Sequence, residues 1–288
     1  MRQNPSFYDQ AQNLREQVSR FERQLKLITV TSGKGGVGKT SLTVNLAIAL
    51  QQMGHSVLVV DADFGLANID VMLGLQSTHN LSHLLRGQRT LSEITQRSAS
   101  GVQFISGGSG VFDLLNMGGA QLDALLDGLM DLEDEIDIIL FDTGAGINDN
   151  ILRLIMASSE TVVVTTPEPT AILDAYALVK TVSRREGAPP IRLVMNKAES
   201  KKEADNAIIG FQGIIRKYLH RDVESLGYVL FDAEVGRSIK RQTPILLSHP
   251  GGLTARCIQE AARHLAILET GPVAPQSPLG RLFARFKR

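Results

Sequence analysis

Seven short runs of almost unbroken apolar character punctuate the sequence: KLITVTS (26–32), SVLVVDAD (56–63), VQFISGG (102–108), IDIILFDTG (136–144), TVVVTTP (161–167), IRLVMNK (191–197) and LGYVLFD (226–232). Helical periodicity fills most of the gaps, most clearly at 40–53, 121–132, 148–158 and 170–186. A strand that is apolar at consecutive positions is buried on both faces, and strands joined through helices run parallel. The pattern predicts an α/β fold: a doubly wound, mostly parallel sheet flanked by helices on both faces. No linker or internal repeat divides 26–268, which reads as one domain. Upstream, Phe7, Ala11, Leu14, Val18, Phe21 and Leu25 recur at spacings of four and three, one apolar stripe on a helix. Downstream, GPVAPQSP (271–278) is proline-rich and aperiodic, a stiff exposed spacer. The chain thus divides into a helical arm (1–25), one domain (26–268), a spacer (269–278) and a final segment (279–288).

Composition changes this picture only by exclusion. The 288 residues carry 30 basic and 30 acidic side chains, so bulk charge gives no argument for nucleic acid. One cysteine, Cys257, rules out an intrachain disulfide and a multi-cysteine metal site, and fits a reducing compartment. The polar N-terminus lacks the apolar core of a secretory leader, and no run approaches the ~18 apolar residues of a membrane span. The expectation is a cytoplasmic protein, which leaves attachment to a membrane surface open.

Between the first strand and the first helix lies SGKGGVGKTS (32–41). Gly-x-x-x-x-Gly-Lys-Thr in that context is a phosphate-binding loop. Its glycines let N–H groups curl round a phosphate, Lys39 bridges phosphates and Thr40 offers its hydroxyl to Mg²⁺. Asp142 ends an apolar strand, where a carboxylate holds Mg²⁺. Asp61 and Asp63 end another strand at the edge where ligands of such sheets bind. Either could orient the attacking water, and spacing alone does not choose between them.

One lysine suffices for an ordinary loop of this kind, yet this one has a second, Lys34. KGGVGKTS resembles the deviant Walker A signature of the MinD/ParA family of dimeric ATPases. The resemblance implies a MinD-like P-loop fold, ATP with Mg²⁺, and an ATP-dependent homodimer in which Lys34 reaches the partner's site. A cation delivered in trans acts like an arginine finger, worth ~10³–10⁵ in rate in other NTPases. It further implies that Gly33, Lys34, Gly35, Gly36, Val37, Gly38, Lys39, Thr40 and Ser41 contact ATP, and that Lys34, Lys39 and Asp63 serve catalysis. Thr40, Asp61 and Asp142 form the expected metal set. DADFGLANID (61–70) is similar to switch I of that family and FDTGAGI (141–147) to Walker B and switch II, although many relatives have Pro where this chain has Gly144. Asn196 and Asp232 match adenine-facing positions. NKAE (196–199) is similar to the guanine motif, but Glu199 stands where that motif has Asp, and with the family resemblance ATP is favoured.

The ends of the chain add partners. In LGRLFARFKR (279–288), Leu279, Leu282, Phe283 and Phe286 follow helical spacing, with Arg281, Arg285, Lys287 and Arg288 as the only charges. A basic amphipathic helix of this kind reads as an anchor to an anionic membrane surface. In the arm, Asp9, Gln10, Ala11, Leu14 and Arg15 match a motif of flagellar regulators of the FlhG type. That resemblance implies stimulation of the partner GTPase FlhF, contact with flagellar switch-complex components, and control of flagellum number and placement. The rivals are a ParA-type partition protein holding non-specific DNA, which the neutral charge disfavours, and an iron–sulfur reductase, which the lone cysteine disfavours.

Overall fold

The structure is a computed structural model of the 288-residue chain and describes residues 25–63, 68–108 and 119–266. The arm through residue 24, part of switch I (64–67) and the spacer and tail from 267 onward lie outside the described residues. The readings made for Asp9, Gln10, Ala11, Leu14 and Arg15, and for Leu279 through Lys287, fall there.

Eight strands form one sheet in the order β3-β4-β2-β5-β1-β6-β7-β8. They are β1 (Lys26–Ser32), β2 (Val57–Ala62), β3 (Thr95–Arg97), β4 (Gln103–Ile105), β5 (Ile138–Ala145), β6 (Glu160–Thr165), β7 (Ile191–Ala198) and β8 (Glu224–Leu230). All neighbours pair in parallel except β3, which runs antiparallel to β4 at one edge. Each predicted strand is present. The edge strand β3 was not predicted, because three residues carry no periodicity.

Alternation assigns side chains to the two faces. Ile28 and Val30 of β1, Val57 and Val59 of β2 and Ile138 and Leu140 of β5 enter one core. Leu27, Leu58, Val60, Ile139 and Phe141 enter the core on the opposite face. The first face is covered by α1 (Lys39–Gln52) and α11 (Leu253–Ala266), with Leu46, Ile48 and Leu50 packed beside Ile258, Ala262 and Leu265. Helix α1 is buried nearly all round, so it shows little amphipathic pattern. Between it and α11 come short helices α2 (Ile69–Leu73), α3 (Leu81–Leu85) and α4 (Leu91–Ile94), the longer α5 (Gly119–Met130), α6 (Asp149–Ala157), α7 (Pro169–Ser183), α8 (Lys201–Leu219) and α9 (Ala233–Lys240), and the short α10 (Ile245–Ser248). Helices α6, α7 and α8 cover the second face beside β6 and β7.

From β1 the chain crosses β5 to reach β2, and from β5 it crosses β1 to reach β6. The order therefore reverses about β1 and β5, and the crevice beyond the carboxyl ends of such strands is where open α/β sheets bind ligands. At the opposite end, Glu160 of β6 is buried between Lys26 and Arg192, with Arg192 Nε 3.0 Å from its Oε2. That ion cluster ties β1, β6 and β7 together and faces away from the crevice.

Candidate nucleotide site

The loop from β1 to α1 is shaped by glycine where the backbone demands it. Gly36 and Gly38 lie at φ +78° and +89°, in the left-handed region that side chains disfavour. Gly38 is also the N-cap of α1, so the loop leads into a helix N-terminus whose free N–H groups favour an anion. Gly33 is required by proximity: a Cβ there would stand 2.3 Å from the Asp174 backbone in α7.

A cavity of about 620 Å³ opens at the loop. Residues Gly35, Gly36, Val37, Gly38, Lys39, Thr40 and Ser41 line it, with Asp63 on one side and Asn196 and Asp232 on the other. Gly33 and Lys34 do not line it.

Charge beneath the loop is arranged around Asp142. Lys39 is 7 % exposed and its Nζ donates to Asp142 Oδ1 at 2.7 Å. Thr43, one turn along α1, donates its hydroxyl to the same oxygen at 2.9 Å. Asp142 Oδ2 is buried and has no hydrogen-bond partner. An orphaned carboxylate oxygen is costly, and a cation would satisfy it. With the Thr40 hydroxyl on the cavity wall, the oxygen donors fit a hard ion such as Mg²⁺.

Asp61 stands opposite Asp142 in the β2–β5 register and is fully buried. Its Oδ2 accepts from the Asn68 and Ile69 N–H groups at 3.0 and 3.3 Å, and its Oδ1 from Asp63 N–H at 3.2 Å. Asp61 was expected among the metal ligands; here its two oxygens accept from backbone N–H groups. Like Asp142, it does not line the cavity, and it ties Asp63, Asn68 and Ile69 to the end of β2. Burial, and then the Asp142 charge, lift its pKa to about 7, against the pull of those N–H groups. Asp63 does line the cavity. Burial raises its pKa, Lys39 lowers it and Asp142 raises it again. Gly144 makes room for it, since a Cβ there would come 3.0 Å from Asp63 Oδ1.

On the far side, Asn196 Nδ2 donates to the Val37 carbonyl at 2.7 Å, and Asn196 Oδ1 accepts from Lys197 N–H at 2.9 Å. Asp232 caps α9 by accepting from Glu234 N–H at 2.8 Å, and takes the Thr254 hydroxyl at 3.2 Å. Both residues line the cavity, and their polar groups are engaged within the protein. Glu199 is exposed and off the cavity.

Lys34 points elsewhere. Its Nζ donates to Glu168 Oε2 at 3.1 Å and to Thr170 Oγ1 at 2.9 Å, at the start of α7. The sequence reading missed these two partners, which lie more than 130 positions away. It also missed Thr43, for which a signal existed: four residues after Lys39 on a helix lies the same face.

A family model described as ParA, NUBPL iron-transfer P-loop NTPase, matches residues 24–266. The flagellum site-determining protein YlxH of Helicobacter pylori is 34% identical over 100% of this chain and 98% of its own length. The antiactivator FleN of Pseudomonas aeruginosa is 32% identical over 90% of this chain and 91% of its own. Among solved structures, the septum site-determining protein MinD complexed with Mg-ADP, from Pyrococcus horikoshii OT3, superposes with a TM-score of 0.72. That match covers 86% of this chain and 100% of the other at 22% identity, a likeness of fold. With a doubled-lysine phosphate loop at the switch point of its sheet and relatives of this kind along its whole length, the chain belongs to the ParA/MinD family of P-loop ATPases.

Proposed function

We propose that this protein is an ATP-driven dimerising switch that regulates flagellum number and placement from the inner face of the cell membrane. ATP hydrolysis with Mg²⁺ is the activity of its family, and the flagellar assignment rests on its similarity to FleN and YlxH. The loop N–H groups and Lys39 bind the phosphates, Thr40 and Asp142 hold the metal, and Asp63 orients water. When bound, Mg²⁺ neutralises phosphate charge as bonds break.

What supports the dimer is the position of Lys34. It lies outside its own chain's cavity and is held by exposed contacts to Glu168 and Thr170, at 39 % exposure of its own side chain. Exposed pairs of this kind contribute about 0–1 kcal/mol, so little opposes transfer of Lys34 to a partner's phosphates. ATP then becomes part of the dimer interface and hydrolysis dissolves it. A dimer carries two copies of the basic 279–288 segment, and the second gains ~10²–10⁴ in avidity for anionic lipid. Among the described residues no helix is long and apolar enough to cross a membrane, in keeping with surface attachment by that segment. The arm, through Asp9, Gln10, Ala11, Leu14 and Arg15, stimulates an FlhF-type GTPase, and flagellar switch-complex components are further partners.

Flotation with anionic vesicles tests the reading. The full chain should float with ATP and not with ADP, and deletion of 279–288 should abolish flotation. Equal flotation in both nucleotides would make the tail a constitutive anchor. ATP-dependent, salt-sensitive DNA binding without flotation would replace this reading with the partition one.

A further inference from the structure

A phosphate-binding loop turns N–H groups inward, so its carbonyls turn outward and need partners of their own. Two consecutive residues of β7 supply them. Asn196 donates to the Val37 carbonyl at 2.7 Å, and Lys197 Nζ donates to the Gly36 carbonyl at 2.7 Å. Serving both carbonyls from neighbouring positions requires a distorted strand. Lys197 lies at φ +57°, its N–H held by Asn196 Oδ1, and the β7–β8 register shifts between Met195 and Ala198. A lysine in this conformation is strained, and strain of this kind persists where the surroundings enforce it and gathers at functional sites. The strap is in direct contact with the loop: a Cβ on Gly38 would meet Asn196 Nδ2 at 2.5 Å and Lys197 Cε at 3.6 Å.

We propose that Lys197 is a positioning residue that clamps the phosphate loop in its anion-binding shape. It acts on the phosphates through Gly36 and does not read the base. The likeness of Asn-Lys-x-Glu to a guanine motif then has another meaning here: the lysine serves the loop, while Glu199 stands clear of the cavity. The inference rests on the nucleotide-site reading above.

Calorimetric titration of the full chain with Mg-ADP, Mg-GDP and inorganic pyrophosphate tests it, in wild type, Lys197→Met, Lys197→Arg and Lys197→Gly. A charge-assisted hydrogen bond to the loop predicts that Lys197→Met weakens ADP and pyrophosphate alike, by about tenfold. The preference for ADP over GDP stays as in wild type, and KM for ATP rises more than kcat falls. Lys197→Arg recovers most of the affinity. Lys197→Gly, which suits a positive φ, melts no lower than wild type yet loses the same affinity, which separates the clamp from folding. Unchanged pyrophosphate binding by Lys197→Met overturns the clamp, as does a loss confined to ADP, which would assign Lys197 to the base. If wild type itself binds neither ADP nor pyrophosphate, the nucleotide-site reading falls and the clamp with it.

Discussion

Asp61 gives the free protein an unusual dependence on pH. It is a fully buried carboxylate facing a second one, Asp142, across the β2–β5 register, and Lys39 forms its ion pair with Asp142. Its pKa rises from an ordinary 3.8 to about 7, chiefly by burial. Between those values the folded chain keeps a proton that the unfolded chain gives up. The folded state binds more protons, so stability falls as pH rises through the window. From 3.8 to about 7 is about 3 pH units, which at 1.36 kcal/mol each amounts to roughly 4 kcal/mol, an upper figure. Asp61→Asn abolishes the titration but points an amide at N–H donors that Oδ2 now serves, from Asn68 and Ile69. Leaving those donors unsatisfied costs about 1–3 kcal/mol at any pH. In urea denaturation without nucleotide or metal, Asp61→Asn should therefore be the less stable protein at pH 4.5. By pH 8 the gap should close or reverse, a swing of up to about 3 kcal/mol, since the measurement begins above the lower end of the window. Other titrating groups are common to both proteins and cancel. A gap that stays constant within about 0.5 kcal/mol across the window would refute the reasoning.

Two further substitutions probe the same crevice. Asp142→Ala strands Lys39 at 7 % exposure without its ion-pair partner, so it should lower unfolding free energy by about 3–5 kcal/mol and remove Mg²⁺-dependent ATP turnover; a melting temperature equal to wild type would count against the pair as described. Gly144→Ala adds a Cβ 3.0 Å from Asp63 Oδ1, and if Asp63 orients water as proposed, displacing it by even part of an ångström should cut turnover by about tenfold or more. Equilibrium titration with ADP should show its affinity unchanged, since Gly144 does not line the cavity.

Much of this molecule was legible in its sequence, for physical reasons that differ by element. The central strands announced themselves because burial on both faces leaves no polar alternation to confuse, as in VVV at 162–164. The phosphate loop was legible because φ above zero and the approach of Asp174 at Gly33 select glycine by type and position. Helix α8 was not singled out. Gly210 and Gly213 interrupt its pattern, although Ser200, which accepts from Glu203 N–H at 3.2 Å, caps it with a recognisable Ser-x-x-Glu signal. The two strand-end aspartates could not be separated by spacing, because the difference lies in the backbone groups that reach each of them. Asp61 is consumed by N–H groups at 63, 68 and 69, whereas Asp63 is left on the cavity wall. The tether of Lys34 and the strap of Lys197 were equally out of reach. Each joins residues more than 130 positions apart and depends on how α7 and β7 stack against the loop.

Sedimentation velocity of wild type and Lys34→Ala in Mg-ATP and Mg-ADP tests most directly whether Lys34 serves a partner's site. Loss of the exposed Glu168 contact should alter the stability of the single chain by less than about 1 kcal/mol, so the variant remains a folded, nucleotide-binding protein. Wild type should be a dimer in ATP and a monomer in ADP, with Lys34→Ala monomeric in both. A Lys34→Ala protein that dimerises in ATP as wild type does would contradict that role.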